Sequence, residues 1–344
     1  MNFKIKRGHV IGFLATVFVF GMVFLYIYNG TKEVTWVYSI ENHTKEKLGK
    51  NIYNVIYSQD EKYIAWITYN GIAHVAQINE IKNIIYSQKE INKIFFFGDN
   101  LLMVDKSGSL SSYDCQNKET TNYDTDCFNK NVFVSGEMFY IVEDGLISYM
   151  DMSEKDPRLT EVKRNINISS PDNIFADNMS VAVFDENSVK IYQYPTFEEK
   201  IMPLNKYRGR GTVCRNDDEE LLIVYINKEG DVVINKKGQE KVLFHTTYPH
   251  SIVFSNAYKC IICADKTKTY CYNNFGETEW NKDIMSDMLT VSPIGNYCIS
   301  IYSKAKACVY SVDSGEEQYS LGNLKKAEFS PSEKYITATQ KSMY

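Results

Sequence analysis

Short runs of alternating apolar and polar residues recur at a nearly constant spacing toward the C-terminal end of the chain. The three clearest copies are Phe254–Cys263 (FSNAYKCIIC), Val291–Ile301 (VSPIGNYCISI) and Phe329–Ala338 (FSPSEKYITA). In each copy an apolar residue and a Ser precede a short turn, and the residues after the turn alternate in the way that predicts a β-strand. The serines follow one another at steps of 37 and 38 residues, a period that indicates a repeat architecture.

Weaker copies extend this repeat back almost to the N-terminal end, at steps of 37 to 41 residues. The equivalent turn positions are Ser58, Gly98, Ser135, Ala176, Asn216, Ser255, Ser292 and Ser330. The second copy shows four predicted strands, at Lys93–Phe97, Leu101–Asp105, Leu110–Cys115 and near Thr120–Tyr123. Four antiparallel strands in about 40 residues make one propeller blade. The sequence therefore predicts an all-β, eight-bladed β-propeller, with a seven-bladed ring containing one atypical unit as the alternative.

The eighth unit is incomplete, since it offers only Lys326–Phe329 and Tyr335–Thr339 as strands. Its missing half is found near the other end of the chain. Trp36–Gly49 (WVYSIENHTKEKLG) is similar to Cys308–Gly322 (CVYSVDSGEEQYSLG), which is the outer half of unit seven. We therefore expect two strands from each terminus to close the ring, because an open ring would leave strand edges exposed to aggregation.

A run of nineteen uncharged, mostly apolar residues lies at Val10–Tyr28. This length is just enough for a helix to cross a hydrocarbon core of about 30 Å. Basic residues precede the run, so the positive-inside rule places residues 1–9 in the cytoplasm and the propeller domain, 31–344, outside. A cleaved signal peptide is the alternative, but the exit from the run has bulky residues where a cleavage site needs small ones. We expect an uncleaved, single-pass signal anchor at 10–28.

The bulk composition excludes some partners and is consistent with the predicted strands. Ile, Val, Tyr, Phe and Thr, which favour strands, are frequent. The formal net charge is −5, which offers no basic surface for nucleic acid. The bias toward Lys, Asn and Ile is typical of low-GC bacteria. We expect a monomeric ring that does not bind nucleic acid.

The segments FSPSEKYI and VSPIGNYC resemble the strand-turn-strand signature of WD-repeat and related bacterial propellers, including lactonase-type and quinoprotein-type rings. The resemblance covers roughly residues 34–344 and implies the fold, since such rings carry unrelated activities. The chain departs from the strict WD pattern, because no Gly-His opens the units and no Trp-Asp closes them. It also has only 3 tryptophans, so the regular blade-docking tryptophans of quinoproteins are missing and no cofactor is expected.

Eight cysteines are present, and two cross-strand pairs, 263 with 271 and 298 with 308, are candidates for disulfides in an oxidising exterior. Bridging directly paired strands is geometrically demanding. We therefore favour small buried thiols that fill the gaps between blades.

Other motifs carry weaker signals. His245 and His250 flank a turn but lack a metal-ligand spacing, and Asn122–Asp126 starts like a calcium loop without the required Gly and Glu. We interpret this second segment as a polar blade edge. One basic cluster, formed by Lys206, Arg208, Arg210 and Arg215, is interpreted as a solvated loop.

No catalytic, cofactor or metal residues are assigned from the sequence. We expect a membrane-anchored, extracytoplasmic propeller that acts as a non-catalytic binding or scaffolding module for a protein, peptide or envelope glycan. The alternative is a hydrolase or lactonase-type enzyme whose residues converge in the central channel from several blades. A domain that assists the assembly of envelope proteins is a third hypothesis, and it predicts a stable membrane complex.

Overall fold

The structure is a computed structural model, and it describes residues 33–135, 138–143, 146–154, 157–164, 174–176, 180–193, 196–215, 220–245, 251–255, 259–265, 267–273, 275–302 and 306–341. These residues form eight antiparallel sheets of four strands each. Neighbouring sheets contact one another in succession around a closed ring. The chain is therefore an eight-bladed β-propeller, and the seven-bladed alternative is wrong.

The thirty-two strands follow in chain order. The first sixteen are β1 Glu33–Ser39, β2 Thr44–Lys50, β3 Ile52–Tyr57, β4 Tyr63–Thr68, β5 Ala73–Gln77, β6 Ile84–Gln88, β7 Ile91–Phe97, β8 Asn100–Asp105, β9 Ser109–Asp114, β10 Glu119–Asp126, β11 Asn131–Ser135, β12 Met138–Glu143, β13 Leu146–Asp151, β14 Thr160–Arg164, β15 Ile174–Ala176 and β16 Ser180–Phe184. The others are β17 Ser188–Gln193, β18 Glu198–Pro203, β19 Tyr207–Arg215, β20 Leu221–Asn227, β21 Asp231–Lys236, β22 Gln239–His245, β23 Ser251–Ser255, β24 Cys260–Ala264, β25 Thr269–Asn273, β26 Thr278–Lys282, β27 Met288–Val291, β28 Tyr297–Ile301, β29 Ala307–Ser311, β30 Glu317–Gly322, β31 Lys326–Phe329 and β32 Tyr335–Lys341. A single 3₁₀ turn, Ile78–Glu80, is the one helical element among the described residues.

Blades 1 to 7 take four consecutive strands each, from β3–β6 to β27–β30. Blade 8 has the order β2-β1-β32-β31, so its two outer strands come from the N-terminal side of the chain. Strand β1 pairs with β32 along its whole length, with Trp36 opposite Ala338. The hydroxyls of Thr35 and Thr339 lie 3.0 Å apart across this pair. The predicted closure by two strands from each terminus is confirmed.

The core is divided among the contacts between blades. The second strand of a blade is apolar on both faces, as in β16 (SVAVF) and β24 (CIICA), where every residue is buried. Such continuous apolar runs are expected for a strand that is covered on both sides. Each pair of neighbouring blades encloses its own cluster of buried side chains, which makes eight clusters in the ring.

The repeated serines have a structural role in the turn that follows each innermost strand. Ser330 is fully buried, and its Oγ accepts a hydrogen bond from the backbone N–H of Tyr335 at 3.0 Å. Ser292 bonds Tyr297 in the same way at 2.9 Å. In these two units the Ser hydroxyl therefore satisfies a backbone N–H inside a tight turn.

Two buried glutamates connect these turns from blade to blade. Glu333 of blade 8 accepts hydrogen bonds from the backbone N–H groups of Gly295 and Asn296 in blade 7, at 3.0 and 3.1 Å. The side-chain amide of Asn296 donates to the same carboxylate at 2.8 Å. Glu61 of blade 1 accepts hydrogen bonds from the backbone N–H and the hydroxyl of Ser332 in blade 8. Turns therefore contribute polar contacts to the closing joint of the ring.

The turn of blade 1 also holds an aspartate whose pKa is low. Burial raises the pKa of Asp60, but hydrogen bonds from Lys62 and from the hydroxyl of Ser58 outweigh this and lower it to about 2. The Nζ of Lys62 lies 2.6 Å from the carboxylate. Asp60 therefore remains ionised well into the acidic range.

The predicted cytoplasmic tail, 1–9, and transmembrane segment, 10–28, lie outside the described residues. Among the residues that the structure does describe, no helix has the length and apolar character needed to cross a membrane.

Candidate functional site

The innermost strands around the ring axis carry little titratable chemistry. They are β3, β7, β11, β15, β19, β23, β27 and β31, and it is largely these strands that contact one another between blades. Within these described strands the only acidic residue is Glu328, and none contains a histidine. Glu328 is engaged by Lys326, whose Nζ lies 2.7 Å from its carboxylate. No group of three or more His, Cys, Asp or Glu residues among the described part of the chain is arranged to hold a metal ion.

A large groove lies instead between the outer parts of blades 2 and 3. Its volume is about 770 Å³, which is within the range of ligand-binding clefts. The lining residues are Phe97, Asn100, Ser112, Asp114, Glu119, Thr121, Asn122, Tyr123, Asp124, Thr125, Met152, Glu154, Pro157, Arg158 and Leu159. Blade 2 supplies the first ten of these and blade 3 the last five.

The blade 2 wall is built from one face of its sheet and from the edge of β10. Thr121 is directly opposite Ser112, so both side chains lie on the same face. The Ser112 hydroxyl is 3.0 Å from the Tyr123 hydroxyl, which fixes the tyrosine ring along the wall. Deeper in, Tyr123 packs on the apolar cluster between the two blades. The groove is thus the outward continuation of an interface that is closed by apolar side chains further in.

The blade 3 wall is an irregular connection between β13 and β14. Met152 is buried in the cluster between the blades, whereas Leu159 is 42% exposed. The start of the connection is fixed by Asp151, whose Oδ1 accepts hydrogen bonds from the backbone N–H and hydroxyl of Ser153, at 3.0 and 2.6 Å. Five described residues of this connection line the groove opposite β10, namely Met152, Glu154, Pro157, Arg158 and Leu159.

The groove is acidic. Among the described lining residues, four carboxylates (Asp114, Glu119, Asp124 and Glu154) and one guanidinium (Arg158) give a net charge of −3. No basic group among the described residues forms an ion pair with Glu119, Asp124 or Glu154. A groove of this charge favours cationic ligands.

One of these carboxylates is held in its charged form by the backbone. The N–H of Asn117 donates to Asp114 at 2.9 Å and that of Gln116 at 2.8 Å. The bond from Asn117 is the main cause of the lowered pKa of Asp114. Hydrogen bonds to the ionised form favour that form, so the negative charge at this end of the groove persists at moderately acidic pH.

The motifs that the sequence singled out are dispersed. Asn122–Asp126 lies in β10, the outermost strand of blade 2, which agrees with its interpretation as a polar blade edge. His245 bonds Asp231 at 2.8 Å on an exposed strand, and its predicted companion His250 lies outside the described residues. In the basic cluster, Lys206 pairs with Glu229 at 2.7 Å. Of the motif residues that the structure describes, only Asn122, Tyr123, Asp124 and Thr125 line the groove.

The cysteines are free thiols, and seven of the eight are buried. Cys271 is directly opposite Ile262, so Cys263 is one residue out of register and points to the other face of the sheet. Cys298 is opposite Tyr310, two residues from Cys308. The disulfide alternative is therefore wrong, and the favoured interpretation, thiols packed between blades, is confirmed for the buried seven. Burial raises the pKa of Cys115 and Cys298 to about 12 and that of Cys127 to about 11.

The groove could be found only in part from sequence. The acidic run in β10 signalled one wall, because it interrupts the alternation of apolar and polar residues. The residues of the facing wall, Met152, Glu154 and 157–159, follow about thirty residues later and have no local sequence pattern of their own. Only the arrangement of two successive blades brings them together.

No known protein family matches the chain, and no curated protein does. Solved structures do resemble it. One is the dihydro-heme d1 dehydrogenase NirN in complex with DHE, with a TM-score of 0.61 and 10% identity over 90% of this chain and 75% of that chain. The C-terminal WD40 domain of Sif2 has a TM-score of 0.55 and 13% identity over 84% of this chain and 95% of that one. BamB from Moraxella catarrhalis has a TM-score of 0.52 and 13% identity over 83% of this chain and 96% of that one.

These neighbours have different roles, and at such identities the likeness concerns the fold alone. Together with the eight four-stranded sheets, these likenesses support a β-propeller fold. By its fold, this chain belongs among the β-propellers.

Proposed function

We propose that this protein is a non-catalytic binding or scaffolding module that holds a protein, peptide or envelope glycan on its propeller. The observation that carries this proposal is the groove of about 770 Å³ between blades 2 and 3. It lies on a scaffold whose strands are paired and whose blades enclose continuous apolar clusters. A groove on such a rigid frame can bind a partner without the cost of ordering its own walls.

The distribution of charge favours binding over catalysis. A hydrolase in the central channel would need acidic or histidine side chains from several blades to converge on the axis. The described innermost strands supply only Glu328, and Lys326 already neutralises it. Three carboxylates that have no ion-pair partner among the described residues, those of Glu119, Asp124 and Glu154, line the groove instead, where they can select a partner by charge.

We further propose that residues 10–28 anchor the protein in the membrane with the propeller on the extracytoplasmic side. The basis is the uncharged run and the basic residues that precede it. Cys308, the one half-exposed thiol in the described chain, allows a direct test. A membrane-impermeant maleimide added to intact cells should label it. Labelling that occurs only after the membrane is permeabilised would contradict this orientation.

The binding function is tested by mild crosslinking of the full-length protein in its native membranes, followed by purification. A stoichiometric partner is the expected result. If no partner is recovered, and the detergent-purified full-length protein is stabilised against heat by a divalent metal ion, the binding proposal is wrong and the hydrolase alternative is favoured. A scaffold for envelope assembly predicts that the partner remains bound in a stable membrane complex.

A further inference from the structure

We infer that the groove between blades 2 and 3 binds an extended, Lys- or Arg-containing polypeptide segment, which adds to the edge of β10 as a fifth strand of blade 2. This inference rests on the binding function proposed above and specifies the class of partner. Addition of a strand to an open sheet edge is a common mode of peptide recognition, since the main chain supplies affinity and the side chains supply specificity.

The backbone of β10 is accessible from the groove. Side chains of a strand point alternately to its two faces, so a groove that touched only one face would be lined by every second residue. Here three consecutive residues of the regular ladder, Thr121–Tyr123, line it, and so do Asp124 and Thr125 at the bulge that follows. The groove therefore runs along the edge of the strand, where the outward N–H and C=O groups of an outermost strand have no partner strand.

The length of the regular ladder sets the size of the added strand. Strand β10 pairs with β9 without interruption from Glu119 to Tyr123, and a bulge follows between Tyr123 and Asp126. Five residues at about 3.4 Å each give an edge of about 17 Å. A bulge bends the strand and ends regular pairing, so we expect the bound segment to contribute about five residues.

Strand β10 lacks the residues that usually protect an open edge. Natural sheets protect their edges with Lys, Pro, bulges or short strands. Most of the other outermost strands contain such residues, including Lys47 in β2, Lys200 and Pro203 in β18, Lys241 in β22 and Lys282 in β26. Strands β6 and β30 contain neither Lys nor Pro, but β6 has only 5 residues and an irregular ladder, and two irregularities interrupt the ladder of β30. Strand β10, with eight residues, is the longest of the outermost strands described, and its charged residues are all acidic.

The side chains select a cationic segment. Glu119 and Asp124 are exposed on β10, and Glu154 is exposed on the facing wall. Between the acidic groups lie the half-buried rings of Phe97 and Tyr123. A Lys or Arg side chain can lay its aliphatic stem on such a ring while its charge reaches a carboxylate. An acidic segment would meet the net charge of −3 and be repelled.

The test uses the full-length protein in detergent and fluorescently labelled hexapeptides, with binding measured by anisotropy. One peptide alternates Lys with Val, and its counterpart alternates Glu with Val. We expect the Lys peptide to bind at least tenfold more tightly than the Glu peptide, and its binding should weaken as salt is added.

Two further Lys peptides test the backbone pairing. One is methylated at the backbone nitrogens of its odd-numbered residues and the other at those of its even-numbered residues, and these are the two phases. Because only alternate N–H groups of an added strand face β10, methylation in one phase should reduce binding at least tenfold, and in the other phase much less.

The protein variants test the location. Glu119→Gln with Asp124→Asn should weaken the Lys peptide several-fold. Glu198→Gln, on the exposed outer strand of blade 4, is the matched control and should leave binding unchanged. Circular dichroism and the melting temperature establish that both variants are folded. Equal binding of the Lys and Glu peptides, or equal tolerance of N-methylation in both phases, would overturn the inference.

The double variant and the crosslinking experiment together distinguish a failure of this inference from a failure of the proposed binding function. If the crosslinked partner is recovered equally well with the double variant and the Lys peptide does not bind, the inference is wrong while the binding function stands. If the partner is lost with the double variant and retained with Glu198→Gln, both are supported. Capture of a glycan instead of a polypeptide would also overturn the inference.

Discussion

Replacement of Glu333 by Ala should destabilise the ring at its closing joint. Glu333 is 6% exposed and its carboxylate accepts three hydrogen bonds from the turn of blade 7. The substitution removes the acceptor of two backbone N–H groups, those of Gly295 and Asn296, of which Gly295 lies in a buried contact. Each buried donor that is left unsatisfied costs about 1–3 kcal/mol.

The size of the expected loss in the free energy of unfolding depends on how well water can replace the carboxylate. Asn296 is half-buried, so its groups can regain part of their hydrogen bonding from solvent. The bond to Gly295 N–H is enclosed and should be lost in full. We therefore expect a decrease of about 2–4 kcal/mol in the free energy of unfolding, which is large compared with typical surface substitutions of within about 0.5 kcal/mol.

Two more variants separate the hydrogen bonds from the backbone strain. The backbone of Glu333 has a φ of 64°, in the left-handed region that favours glycine. Ala keeps this strain, whereas Gly relieves it, so Glu333→Gly should be about 1 kcal/mol more stable than Glu333→Ala. Lys334→Ala, at the exposed neighbouring position, is the control.

Guanidinium titration followed by tryptophan fluorescence provides the measurement, since Trp36 lies in blade 8, one of the two blades that meet at this joint. The midpoint of unfolding should fall for Glu333→Ala and stay constant for Lys334→Ala. If Glu333→Ala loses less than about 0.5 kcal/mol, a typical surface effect, the turn-to-turn bonds do not stabilise the ring and the reasoning is refuted.

Three further predictions follow from the thiols, the closing strands and the low pKa values. In the native protein a maleimide should label one thiol, that of Cys308, and in guanidinium all eight; labelling of several thiols in the native state would contradict the observed burial. Thr35→Val should destabilise the ring by about 1–2 kcal/mol because it leaves the buried Thr339 hydroxyl without its partner, and the double Thr→Val variant should recover most of this; additive losses in the double-mutant cycle would argue against the contact. The pKa values of Asp60 and Asp114 are lower in the folded state, so their contribution to stability is complete above the ordinary Asp pKa of about 4 and is lost as the pH falls toward 2; a melting temperature constant from pH 5 to pH 2 would contradict this.

The fold was predictable from sequence because a blade is a local unit. Its four strands are consecutive, and its second strand is apolar enough to be recognised without knowledge of its neighbours. The closure was predictable for a related reason, because Trp36–Gly49 is similar to a complete outer half elsewhere in the chain. Strand ends were less certain, since β32 continues to Lys341, beyond the predicted Thr339.

Contacts between blades could not be read from the repeat. Glu61 and Glu333 occupy the same position in their units, three residues after the anchoring Ser. In sequence, Ser followed by Glu at this spacing also resembles a helix capping box. Their role depends on the turn of the preceding blade, which lies near them only once the two blades have packed together. The groove between blades 2 and 3 is hidden for the same reason.

The pairing of β1 with β32 also sets the order of events during synthesis. Thr35 and Thr339, which meet across this pair, are separated by 304 residues. At about 5–20 residues per second, the partner of β1 leaves the ribosome about 15–60 s after β1 itself. Throughout this interval the hairpin of β1 and β2 has no third strand, while blades 1 to 7 can already form. Completion of the ring is therefore a late step, and the hairpin keeps an open strand edge until β32 has been synthesised.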